Sequence, residues 1–162
     1  MTQQVAEQRA RYPLASFAFR VTVGEVSTGP EVAMSFSEVS GLVREHEVLT
    51  YRHGLSFWEG ESITKFRYDK YVPLTLKKGL IPGASCRAIY AWLDAVDKRF
   101  MRISLCDVHA TDPNQSLVPV VTWRIQQALI VKLEAPSLQA QSNDAVIETL
   151  TLMASGISIE TH

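Results

Sequence analysis

Apolar and polar residues alternate with a period of two along most of this chain. Ala15, Phe17, Phe19, Val21 and Val23 fall on odd positions, with small or polar residues and Arg20 between them. This pattern predicts a strand with one buried face. Pro13 stands where a strand begins and no ladder donor is needed. Thr28-Gly29-Pro30 predicts a turn, and Val32 to Val39 the returning strand of a hairpin. Val72 to Lys77 predicts a short strand closed by Gly79 and by Pro82-Gly83. Met101 to Val108 alternates again, and Thr111-Asp-Pro-Asn114 has the chemistry of a turn. Val121 to Leu133 is the longest strand signal, apolar at odd positions except Gln127. Ala135-Pro136 ends it, and Ser137 to Asp144 forms a polar connection. Val146 to Ala154 sets Thr149 and Thr151 opposite Leu150 and Leu152, and Gly156 interrupts the pattern before Ile157 to Ile159.

Helical periodicity occurs once. Ile89, Trp92, Leu93, Val96 and Phe100 share one face of a helix over about 85–98, with Ser85 as its N-cap. The expected architecture is therefore mainly β: a single β-barrel or sandwich of about seven strands with one flanking helix. Residues 1–11 form a polar N-terminal segment, and 12–162 the single domain.

Residues 45–71 fit neither period. The β-branched and aromatic content of Glu45 to Arg52 allows a strand, although it alternates only fairly, and His53 to Tyr71 mixes glycines and charges with Phe57, Trp58, Phe66 and Tyr68. Extended loops of this length inside a compact domain are usually functional or disordered. Rings at this density need a surface to cover. Three occupants are open: the loop's own domain, stacked single-stranded nucleic acid, or a neighbouring subunit, where aromatics and Arg are enriched. Glu59, Glu61 and Asp69 weaken the nucleic-acid reading, and the neighbouring subunit is preferred.

Composition excludes several classes. With 162 residues and 46% hydrophobic content, the chain can bury a core without staples. Sixteen basic and seventeen acidic residues leave a net charge of −1, without the broad positive footprint of a nucleic-acid binder. Met1 to Arg11 lacks the apolar core of a secretion signal, and no run is long enough to span a bilayer. Cys86 and Cys106 lie outside metal and redox spacings, as two buried thiols would. His46, His53, His109 and His162 are scattered, so no metal or cofactor is expected. The pairs Glu45/Glu47 and Glu59/Glu61 could serve acid–base chemistry, but lie in polar segments where solvation is the simpler account. No catalytic residue is assigned.

An ordered set of segments resembles the tail-tube proteins of contractile phages and of extracellular contractile injection systems, such as the Photorhabdus virulence cassettes and the antifeeding prophage. The segments are Tyr12-Pro-Leu-Ala-Ser-Phe17, Phe36-Ser-Glu-Val-Ser-Gly-Leu42, Val72-Pro-Leu-Thr-Leu-Lys-Lys-Gly79, Tyr90-Ala-Trp-Leu93, and Ala135 to Asp144 followed by Glu148. Together they span roughly residues 12 to 159. Arg52 to Trp58 departs from the Gly- or Asn-rich stretch of many relatives.

The resemblance implies a structural inner-tube subunit, not an enzyme. Copies would form hexameric rings stacked into a hollow tube that is driven into a target when a sheath contracts. Partners would be further copies, the sheath, baseplate and terminator proteins of the particle, and cargo in the lumen, with nucleic acid only in a phage tail. The particle would be assembled in the bacterial cytoplasm and act as an extracellular or virion structure. Glu45, Glu47, Tyr51, Arg52, Phe57, Trp58, Phe66 and Tyr68 are the candidate inter-ring contacts. Ser16, Arg20 and Thr22 are the candidate channel lining. The alternative from strand count alone is a small-ligand-binding β-barrel.

Overall fold

The computed structural model describes residues 13–24, 31–65, 70–111 and 117–162. The Thr28–Pro30 and Asp112–Asn114 turn positions, Phe66 and Tyr68 lie outside them. Seven strands form one antiparallel sheet: β1 (Phe19–Gly24), β2 (Glu31–Met34), β3 (Glu38–Ser40), β6 (Val72–Gly79), β7 (Arg99–Thr111), β8 (Leu117–Glu134) and β9 (Ile147–Thr161). Their order is β2-β1-β7-β8-β9-β6-β3. Two more strands, β4 (Val48–Tyr51) and β5 (Ser62–Lys65), pair with each other and, among the described residues, with no other strand.

The chain passes from β2 at one edge of the sheet to β3 at the other between Met34 and Glu38. Four Cα steps reach at most about 14 Å, so the sheet must be rolled until its edges approach. No ladder joins β2 to β3, and the result is a sandwich-like open roll, not a closed barrel. The single returning strand expected over Val32–Val39 is thus two strands. β2 pairs with β1, whereas β3 pairs with β6. Ser37 N–H donates to Lys77 O at 2.8 Å and makes the transfer. Gly41 permits it: at φ 88° its Cα faces Pro73, and a Cβ there would stand 2.5 Å from Pro73 O.

The inner face is filled by Val21, Leu74, Met101, Ile125, Leu150 and Leu152, all fully buried, together with Ile89 and Trp92 from a helix over Ala84–Asp94. A shorter helix, α1, is Ser56–Glu59, and α2 is Ala84–Asp94. α2 ends four residues earlier than the apolar spacing predicts. Ile89 and Trp92 are 2% exposed, but Val96 is 88% exposed and Phe100 belongs to β7. Trp92 Nε1 donates to Asp97 O at 2.9 Å, which turns the chain back into β7. Ser85 is not the N-cap. Gly83 holds that position without a side-chain bond, and Ser85 Oγ instead accepts from Lys78 Nζ at 2.9 Å.

Along β8 and β9 the buried parity switches on both strands at once. Trp123 and Ile125 point inward on odd positions, then Ala128 and Ile130 on even ones. On β9 the switch falls between Ala154 and Ile157. Gly156, at φ 68°, marks it, and a Cβ there would meet Gln126 Cβ at 2.9 Å. Gly156 therefore turns the strand's faces over without interrupting its ladder, which runs on to Thr161. A second shift between Ile130 and Lys132 bulges out Val131 and returns Leu133 to the core.

An exposed arm and a polar sheet face

The segment expected as an extended loop is a hairpin arm, and the strand that the composition of Glu45–Arg52 allows is β4. β4 and β5 are paired from Val48↔Lys65 to Tyr51↔Ser62, and every residue of both strands is exposed. The connection is α1, which carries Phe57 and Trp58 at 83% and 84% exposure. Leu49, Tyr51, Leu55 and Ile63 add further exposed apolar surface. The arm's roots are anchored to the sheet. Tyr71 donates to Gln127 Oε1 at 2.8 Å and accepts from Lys98 Nζ at 2.9 Å. That ammonium, with Ser155 second, lowers the Tyr71 phenol from its usual value. On the outgoing side Glu45 faces Lys70 at 3.9 Å, and the segment Val43–His46 lies beside Gly156 and Ile157. The buried Nδ1 of His46 has no hydrogen-bond partner.

An isolated two-stranded hairpin is marginally stable in water. Here it also holds two aromatic rings that the described residues leave exposed. Among the sequence candidates, Tyr51, Arg52, Phe57 and Trp58 are brought together on the arm, with Arg52 paired to Glu61. Glu45 and Glu47 lie at its root and are exposed. Of the carboxylates weighed for acid–base work, Glu45 faces Lys70 and Glu61 faces Arg52. Cys86 and Cys106 are buried free thiols, and no cluster of metal-ligating residues occurs among the described residues. Sequence alternation missed Leu49 and Ile63, because an arm exposed on both faces has no buried parity to display.

The second feature is the sheet face opposite the core. Thr22 stands in register with Arg102, Arg102 with Arg124, and Arg124 with Ser158. The adjacent row is Arg20, Ser104, Thr122 and Glu160. Of the channel-lining candidates, Arg20 and Thr22 lie on this face, whereas Ser16 is in a turn before β1. Glu31 accepts from Thr22 at 2.8 Å and pairs with Arg102 at 3.2 Å, and Glu160 pairs with Arg124 at 2.6 Å. Arg102 and Arg124 were legible as the polar positions of their strands, but only cross-strand register puts them in one row.

Exposed apolar surface of this extent on an arm, beside open sheet edges, describes a subunit that other subunits cover. The chain belongs to the T4-like virus tail tube protein gp19 family, whose pattern matches residues 15–158. Members of that family are structural tube proteins, and this chain is a tail-tube subunit, not an enzyme or a small-ligand barrel. Among solved structures, it is similar to a chain of the sheath–tube complex of an extracellular contractile injection system, PVC, in the extended state. Identity is 26% and the TM-score 0.76, covering 100% of this chain and 99% of that one. A chain of the PVC sheath/tube terminator gives 26% and 0.72, over 93% and 99%. One from the anti-feeding prophage tube-terminating cap gives 26% and 0.71, over 94% and 93%. No curated protein matches the chain.

Proposed function

We propose that copies of this chain close into hexameric rings that stack into a hollow tube, with the arm as the contact between rings. The observation that carries this reading is the arm itself: a hairpin fully exposed on both strands, tipped by Phe57 and Trp58. Such a hairpin gains stability only when a partner covers it.

Ring closure has support in the sheet edges. β6 accompanies β9 only as far as the Val72–Ala154 pair, so Ile157 to Thr161 carries a ladder on one side alone among the described residues. β2 and β3, at the two ends of the sheet, are four and three residues long. Backbone groups left free in this way can continue a sheet from copy to copy, which turns an aggregation hazard into a ring.

The polar face bearing Arg20 and Thr22 then lines the channel, and Arg102 and Arg124 line it with them. The tube is built in the bacterial cytoplasm and becomes part of a particle whose sheath, baseplate and terminator proteins surround and end it. Chains from such complexes are the ones this chain resembles. Negative-stain microscopy of the purified protein, with its solution mass measured on the same sample, tests the reading. Rings or tubes with a central channel are expected. A monomer at every concentration would overturn unassisted assembly.

A further inference from the structure

Building on the arm as the ring-to-ring contact, we propose that its aromatic tip seats in the loop between β8 and β9 of the next copy. That loop, residues 135–146, borders a half-open hollow of about 650 Å³ lined by the exposed residues Pro136, Leu138, Ala140, Asp144 and Ala145 and by the half-buried Val146. Leu138 is 77% exposed. Beside the cavity, Leu80 N–H donates to Val146 O at 2.8 Å, which holds the exposed Leu80–Ile81 turn against the loop. The loop is also organised before any partner arrives. Ser142 N–H donates to Gln139 O at 3.2 Å, and Ser142 Oγ donates to Asp144 Oδ2 at 2.6 Å. Preorganisation of this kind lowers the ordering cost of binding.

Register decides which occupant fits. The arm enters β6 at Val72, opposite Ala154, whereas the loop enters β9 at Ile147, opposite Gly79. Seven residue steps of strand, roughly 23 Å, separate the two ends. Arm and cavity therefore sit at opposite ends of the same strand pair, and the arm of one copy meets the cavity of another head to tail. A contact between two different patches can repeat without limit, as a growing stack requires. The chemistry also matches. Phe57 and Trp58 need an apolar cover, and a buried indole N–H needs an acceptor, which Asp144 offers at the cavity wall.

Phe57→Cys and Leu138→Cys variants, prepared separately and mixed under mild oxidation, test the pairing. The native thiols Cys86 and Cys106 are buried. A mixed disulfide is expected in excess over either homodimer. Trp58→Ala and Leu138→Glu should each raise the concentration needed for stacking by about tenfold or more, as loss of a hot-spot contact does. The double variant should be no worse than the single ones. Both side chains are exposed, so unchanged thermal unfolding of each variant separates docking from folding. If Trp58→Ala weakens stacking while Leu138→Glu does not and no mixed disulfide forms, the loop is not the receptor, although the arm remains the contact. If Trp58→Ala leaves stacking unchanged, the arm reading fails and this inference with it.

Discussion

Lys78 on β6 and Glu148 on β9 stand directly opposite one another on the buried face of the sheet, and each is tied to α2 by its own hydrogen bond. Lys78 Nζ donates to Ser85 Oγ at 2.9 Å, and Tyr90 OH donates to Glu148 Oε1 at 2.7 Å. The apolar stripe of Ile89 and Trp92 lets α2 adhere to the sheet, but an apolar contact alone tolerates sliding. Two polar bonds at fixed positions set where along β6 and β9 the helix rests. Charged groups are not buried without partners, and here the partners are hydroxyls of the helix they locate.

Tyr90 gives this arrangement a pH signature. Hydrogen bonds to the Cys86 thiol and then to the Glu148 carboxylate, with burial and the nearby charge, push its phenol well above the usual value of 10. A raised folded-state value means that the contribution to stability is complete below pH 10 and declines as pH rises beyond it. Wild-type stability should therefore fall between pH 10 and 12 by more than that of Tyr90→Phe. Urea unfolding of both proteins at pH 8, 10 and 11.5 checks this. Parallel curves would show that the phenol is not held protonated by the fold.

Gly41 and Gly54 should respond differently to the same substitution. Alanine at Gly41 places a Cβ 2.5 Å from Pro73 O at a φ of 88°, whereas alanine at Gly54 meets nothing within 4 Å. Gly41→Ala should cost about 1–3 kcal/mol and loosen β3 from β6. Gly54→Ala should stay within about 0.5 kcal/mol of wild type. Denaturant midpoints with unchanged slopes would decide it.

Alternation made most of the sheet legible, because β1, β6 and the first half of β8 each keep one face in the core. It failed where a strand changes faces. Leu129 and Val131 continue the odd-numbered apolar series of β8, yet Ala128 and Ile130 are the buried residues there, since Gly156 and Gln126 turn both strands over together. Helical spacing failed in a similar way. Val96 and Phe100 fit the stripe of Ile89 and Trp92, but Asp97 O takes the Trp92 indole N–H and the chain turns out of the helix first. The arm was visible as aromatic excess and, over Glu45–Arg52, as a composition that allows a strand. Every residue of its strands is exposed, so they display no buried parity for a periodicity to reveal.

Phe100 is 3% exposed although it lies outside the main apolar cluster. The guanidinium carbons of Arg102 and Arg124 stand 5.2 and 5.6 Å from its ring centre. Two cations over one ring account for its burial on the polar side of the sheet. Phe100→Leu and Arg124→Met, made singly and together, should show a coupling of about 0.5–1 kcal/mol in a double-mutant cycle. Additive effects would mean that Arg124 only shields the ring from water.

Hydrogen exchange should separate the arm from the sheet before assembly and unite them after it. The amides of β8 and β9 bond to strands on a packed core, so they open only with large-scale unfolding. Those of β4 and β5 belong to a hairpin with exposed residues on both strands and open at little cost. In dilute, unassembled protein, amides of Val48–Tyr51 and Ser62–Lys65 should exchange at least about a hundredfold faster than those of Leu150 and Leu152, a gap of roughly 3 kcal/mol. In tubes the arm should gain protection while the sheet changes little. If the arm is already protected in isolated copies, its own chain stabilises it. If it stays unprotected in tubes, nothing covers it there, and the source of cohesion between rings must lie elsewhere on the subunit.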